Sequence, residues 1–219
     1  DAIKRRIMEL SEDSDAEVIV VEVGGTVGDI EGLPFLEAIR QMRRELDKDS
    51  VFYIHVTYLP FISSTGELKT KPTQHSVREL RSIGILPDAI ICRSEQEITD
   101  DIKNKISVHC DVPFQAVITL PTVSSVYEVP LILEEEGLGD LVTETLDLTV
   151  HGQDLLEWRD LVFAINRQKD SLSIAIVGKY VDLPDSYISV KEALIHAGLH
   201  IDRDIEVQWI GSELIEEQG

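Results

Sequence analysis

Short apolar runs rich in β-branched residues recur along the chain, at Val18–Val23, Val51–Tyr58, Ala89–Cys92, Ala116–Leu120 and Ser173–Val177. They are continuous rather than alternating, which is the pattern of strands covered on both faces of a parallel sheet. Parallel neighbours need a long crossover, normally a helix. The intervening segments supply helical patterns at Pro34–Arg44, Ser76–Ile83, Thr99–Cys110, Ser124–Glu136 and Ser186–Ala197. Pro34 stands in a first turn, where a missing N–H costs nothing, and Gly84 follows its helix as an expected C-terminal cap. This alternation predicts an α/β fold built on a parallel sheet.

The rhythm breaks between Asp140 and Asp170. That stretch holds no buried-strand run, only an amphipathic helix carrying Leu155, Leu156, Trp158, Leu161 and Val162. A β-run restarts at Ser171–Lys179 as a second α/β domain would. The expected organisation is a first domain over 1–145, a connector over 146–168 and the beginning of a second domain over 169–219. A length of 219 residues suits one to two domains. The chain begins at Asp1, not Met, and enters a helical pattern (Ile3, Ile7, Leu10) at once, so both ends are expected to be cuts within a larger protein.

Charge narrows the partners. With 20 Lys+Arg against 41 Asp+Glu the formal net charge is −21, which disfavours nucleic-acid polymers and anionic membrane surfaces. No apolar run approaches the roughly 20 residues of a membrane span. A hydrophobic fraction of 43% argues against a disordered acidic chain. Two cysteines, Cys92 and Cys110, make no disulfide framework, so a cytoplasmic setting is expected.

Ligands of open parallel sheets bind beyond the carboxyl ends of the strands, and unusual residues gather there. After the first run comes Glu22-Val23-Gly24-Gly25-Thr26-Val27-Gly28-Asp29-Ile30-Glu31. Its glycines permit close backbone approach, and Glu22, Asp29 and Glu31 offer carboxylates where a Mg²⁺–phosphate pair binds. A tight turn with solvated acids is the plainer reading of the same residues. No Gly-Lys-Ser/Thr follows, so this is not a Walker A loop. After the second run, Lys69-Thr70-Lys71-Pro72-Thr73-Gln74 places two lysines in an otherwise acidic chain, point charges suited to phosphate oxygens. Arg93, Lys105 and Pro121-Thr122-Val123 follow later runs and read alone as surface charge and turn chemistry. The histidines and cysteines match no zinc spacing; Cys92 reads as packing.

The segments Val21–Glu31, Leu33–Gln41, Gly66–Val77, Pro87–Ser94, Val177–Tyr180 and Leu183–Tyr187 resemble, in order, the signatures of the CTP synthase family. The resemblance implies a P-loop-type amidoligase domain, incomplete here, followed by the start of a class I glutamine amidotransferase domain. It implies a ligase that uses ATP and magnesium to phosphorylate the uracil O4 of UTP, which glutamine-derived ammonia then displaces to give CTP. On that likeness Glu22 would bind Mg²⁺. Asp29, Ile30 and Glu31, with Lys69, Thr70, Lys71, Pro72, Thr73, Gln74 and Lys105, would hold UTP or CTP. Pro121, Thr122 and Val123 would meet the adenine of ATP, although the family often carries polar or charged residues at the first two positions. CTP as feedback inhibitor, GTP as activator and a homotetramer are likewise implied. The family's phosphate-binding Gly-rich loop, a second metal-binding acid and the glutaminase Cys, His and Glu fall outside the segment, so these 219 residues alone are expected to be inactive. The competing expectations are another ATP-dependent amidoligase of the same architecture and a non-catalytic nucleotide-binding assembly module.

Overall fold

A computed structural model of the chain describes residues 1–14, 16–150, 152 and 154–218. It divides into two compact units, Asp1–Gln153 and Asp154–Gly219, the division falling inside the stretch 146–168.

In the first unit, β1 (Ile54–Tyr58), β4 (Ala89–Ser94) and β5 (Val117–Pro121) form a parallel sheet in the order β1-β4-β5. The helices α3 (Lys71–Ile83) and α4 (Asp100–Cys110) make its crossovers. β4 is the central strand and is buried except at Arg93. Alternation along it feeds two cores. Ile90 and Cys92 pack with Leu59, Val77, Ile106, Cys110 and Val117 under α3 and α4. Ala89 and Ile91 pack with Ile118, Leu120 and Leu138 beneath α5 (Val129–Glu135) and α6 (Leu138–Thr145). Each such side chain removed from water contributes about 1.5–3 kcal/mol, which is why this strand was the plainest in the sequence. A two-stranded antiparallel hairpin, β2 (Phe61–Ile62) and β3 (Glu67–Leu68), fills the β1–α3 connection.

The helices α1 (Ala2–Asp13) and α2 (Leu33–Glu45) precede the sheet. Leu36 of α2 joins Leu80 and Ile85 in a third cluster. A polar fork reinforces it: Arg43 donates twice to the Asp88 carboxylate, at 2.5 and 2.7 Å, and lies 4.9 Å over the Tyr53 ring.

Several expectations are corrected. Val18–Val23 is not a strand. A strand is made by a neighbour's N–H and C=O groups, and among the described residues none pairs with this segment; Val20 is 90% exposed. Only half of β1 is covered: His55 and Thr57 face inward while Ile54, Val56 and Tyr58 stand exposed. α3 begins at Lys71, not Ser76, because Pro72 is tolerated in a first turn and needs no amide partner there. The helix expected over Ser124–Glu136 is a short 3₁₀ turn at Val126–Glu128, capped by Ser125, then α5; Gly137 at φ 80° separates it from α6.

The second unit comprises α7 (Leu156–Asn166), β6 (Ser171–Gly178), α8 (Ile188–His200), β7 (Asp204–Gly211) and α9 (Ser212–Gln218). β6 and β7 are parallel, in register from Ser171↔Asp204 to Gly178↔Gly211. Lys169 ties the unit together: its ammonium donates to the Ile165 and Arg167 carbonyls and pairs with Asp204 at 3.2 Å, and its side chain is almost fully buried. Among the described residues no helix is long and apolar enough to cross a membrane.

Candidate functional site: a lysine loop at the carboxyl rim of the sheet

Parallel strands in register end together. Tyr58 pairs with Arg93, and Ser94 with Pro121. Beyond them the Leu59 amide donates to the Arg93 carbonyl at 2.8 Å, and the Thr122 amide to the Ser94 carbonyl at 2.8 Å. The connections leaving β1, β4 and β5 therefore start from one rim, which holds the lysine loop at one strand end and Pro121-Thr122-Val123 two strands away.

The hairpin explains where the loop goes. Gly66 turns it at φ 64°, a left-handed conformation glycine adopts without strain. The chain then returns so that the Lys69 amide donates to the Pro60 carbonyl at 2.9 Å, close to where β1 ends. Thr70 is buried and caps α3 with its backbone, its carbonyl accepting from the Gln74 amide. Gln74 closes the turn again, donating from its side chain to Thr70 Oγ1 and accepting from the Lys71 ammonium at 3.1 Å. Thr73 is also buried: its hydroxyl donates to Thr57 Oγ1 at 3.0 Å and pins the first turn of α3 to β1. That leaves Thr73 its backbone N–H, in a helix turn whose amides favour anions, while Lys71 and Pro72 are exposed.

Lys69 donates to Glu67 Oε2 at 2.6 Å. This bond, the charge of Lys69 and, from α4, the charge of Lys105 hold the Glu67 carboxyl below its ordinary range. Lys105 thus acts on the same carboxylate as Lys69, although the two lysines are far apart in sequence. Glu67 is the residue that sequence reasoning missed. Its signal was there: two residues apart on an extended segment, side chains share a face.

The acidic turn is built separately. The Thr26 amide donates to Asp29 Oδ2 at 2.7 Å and the Asp29 amide to the Thr26 carbonyl at 3.0 Å. Gly25 has φ 89°, and a Cβ on it would stand 3.0 Å from Asp29 Oδ2. Asp29 is thereby committed in part to shaping its own turn, whereas Ile30 and Glu31 are exposed just before α2. Glu22 folds its carboxylate over Gly24, where a Cβ would lie 3.3 Å from Oε1. Among the described residues no hydrogen bond or ion pair joins Glu22, Asp29 or Glu31 to Lys69, Lys71 or Lys105, and no group of three or more His, Cys, Asp or Glu is placed to hold a metal. A single carboxylate in a cradle opened by glycine fits Mg²⁺, which keeps most of its shell for water and phosphate oxygens.

Neighbouring groups are structural. Glu136 accepts from the Thr119 amide at 2.9 Å and from Lys103 at 3.3 Å, holding the edge strand that leads to Pro121. His55 is buried and bonded to Ser76 Oγ at 2.9 Å, and burial lowers its pKa. Burial pushes the Cys92 thiol up to about 12, too high for a thiolate nucleophile at neutral pH.

A family model described as the CTP synthase N-terminus matches residues 1–148. Proteins named CTP synthase align with nearly the whole chain. The one from Roseiflexus sp. (strain RS-1) is 59% identical over 217 residues, 99% of this chain and 39% of its own length. Those from Dehalococcoides mccartyi (strain CBDB1) and Chloroflexus aurantiacus (strain ATCC 29366 / DSM 635 / J-10-fl) are 58% and 57% identical, over 99% of this chain and 40% of theirs. The chain therefore spans about two-fifths of the length of the relatives it matches. With most of the first unit matched by one family model, the chain belongs to the CTP synthase family.

Proposed function

We propose that this chain supplies the nucleotide-gripping section of a CTP synthase, which converts UTP to CTP with ATP and glutamine-derived ammonia. One observation carries the reading. In a chain of net charge −21, Lys69, bonded to Glu67 at 2.6 Å, leads into a helix whose first turn carries Lys71, at the rim of a parallel sheet. Such a cluster, opened by a helix N-terminus, suits the triphosphate of UTP or of CTP as feedback inhibitor. Phosphoryl transfer asks for positioning and charge neutralisation more than for covalent chemistry by the protein.

In this reading Lys69, Lys71 and Lys105 receive phosphate oxygens, and Thr70, Pro72, Thr73 and Gln74 shape the loop around them. Glu22 holds Mg²⁺, which when bound neutralises charge on the phosphates. Asp29, Ile30 and Glu31 face the pyrimidine, and Pro121, Thr122 and Val123 receive the adenine of ATP chiefly through backbone. The amidoligase section runs over 1–145, the connector over 146–168, and 169–219 opens a glutamine amidotransferase section. GTP activation and a tetramer belong to the same reading.

The test is made on a protein of the relatives' full length that contains this chain. Lys69→Ala with Lys71→Ala is expected to weaken UTP binding by about tenfold or more, as loss of charged hydrogen bonds does, and to flatten its dependence on salt. An unaltered UTP affinity, or a wild-type protein without UTP-dependent ATP hydrolysis, refutes the proposal.

A further inference from the structure

The lysine loop carries an anion of its own. Glu67 and Lys69 leave the same side of the segment that ends β3, and the Lys69 ammonium is already bonded to Glu67 Oε2 at 2.6 Å. Lys105 acts on that carboxylate from α4. The Glu67 side chain is 65% exposed and that of Lys69 40%, so solvent reaches both and little packing holds them together. Exposed ion pairs of this kind are weak and exchangeable. A phosphate oxygen entering the loop needs the donors that Glu67 occupies, and it meets a like charge if Glu67 stays.

We propose that Glu67 is an internal competitor that sets the affinity of the lysine loop, occupying Lys69 until a phosphate chain displaces it. The inference rests on the anion-loop reading above. It makes Glu67 an affinity-determining residue that acts through Lys69 rather than a ligand-binding one. A ligand pays for displacement in apparent affinity, and any variant that frees Lys69 without moving it binds more tightly.

Titration calorimetry on the full-length protein tests this with two probes, UTP and inorganic triphosphate, which has phosphates but no base. Glu67→Gln keeps the side chain's size and removes its charge. It is expected to bind both probes about two- to fivefold more tightly, the range that exposed ion pairs span. The gain should vanish when Lys69→Ala is also present, a dependence that a structural role for Glu67 does not produce. Unchanged or weaker binding in Glu67→Gln overturns the inference, as does a gain for UTP without one for triphosphate, or a gain that persists without Lys69. Failure of the underlying reading looks different: Lys69→Ala alone would then leave UTP affinity where it was.

Discussion

Asp88, just before β4, links α2 to the start of β1. Its carboxylate accepts both Nη groups of Arg43 and the Tyr53 amide at 2.7 Å, while the Tyr53 hydroxyl donates to the Ile39 carbonyl of α2. Asp88→Ala strands two kinds of donor. The N–H of half-buried Tyr53 loses its acceptor, at about 1–3 kcal/mol. The Arg43 fork is lost between partners whose side chains are 32% and 20% exposed. Solvent screens it, and it contributes about 1 kcal/mol. The expected loss is thus about 2–4 kcal/mol, several degrees of Tm for a unit of this size at about 2–4 °C per kcal/mol. Asp88→Asn keeps an oxygen for the Tyr53 amide and is expected to lose only about 1 kcal/mol. Both tryptophans, Trp158 and Trp209, lie in the second unit. Tryptophan fluorescence therefore follows that unit, and urea unfolding of the first is read by amide exchange in α2 and β4. Early exchange in α2 should also loosen the 26–31 turn at its N-terminal end. A loss below about 1 kcal/mol for Asp88→Ala, or equal losses for Ala and Asn, refutes the reasoning that the amide, more than the fork, carries the cost.

Two further outcomes follow from buried contacts. The folded pKa of His55 lies below its ordinary value of 6.5 because of burial, so the unfolded chain takes up the proton first. Stability is then complete above about pH 6.5 and falls as pH drops below it; the slope between pH 6.5 and 5 should flatten in His55→Gln, and urea midpoints equally steep in both proteins would defeat the assignment. In the second unit a Cβ on Gly198 would stand 2.8 Å from the Arg203 carbonyl and 2.6 Å from Ile205 Cγ1. Gly198→Ala is expected to cost about 1–3 kcal/mol by overpacking, visible in Trp209 fluorescence, whereas a neutral or stabilising change would mean that α8 moves freely over β7.

What was legible in the sequence was whatever the core alone decides. Ala89–Cys92 announced β4 because both its faces are covered, and the helix expected over Thr99–Cys110 is α4, ended by Asp111 at φ 53°. Val18–Val23 carried an equally good apolar run and is no strand, since a run records affinity for a neighbour and not the neighbour itself. The lysine loop was legible as chemistry but not as structure. Lys71 and Pro72 read as loop residues and belong to a helix, and the Thr73 hydroxyl is bonded to Thr57. Glu67 stood in plain view inside a motif whose lysines drew the attention. Lys69 is bonded to Glu67, and Glu22 lies beside Gly24, with no hydrogen bond or ion pair to Lys69 or Lys105 among the described residues.

A polyanion site proposed on a strongly acidic chain looks contradictory until distances are compared. Charges farther away than a Debye length, about 8 Å at physiological salt, are largely screened, so most of the −21 acts weakly on a ligand in the loop. An ammonium about 4 Å away acts with about 1 kcal/mol in water and about 4 kcal/mol at the effective dielectric near a protein surface. Lysines within that reach of a phosphate would therefore outweigh many carboxylates farther off, and the acid that matters most is whichever lies within the same few ångströms. Among the described residues Glu67 is the acid bonded directly to one of those lysines. The net charge disfavours nucleic-acid polymers over the surface as a whole, while in the proposed site one local carboxylate would govern how tightly a small triphosphate is held.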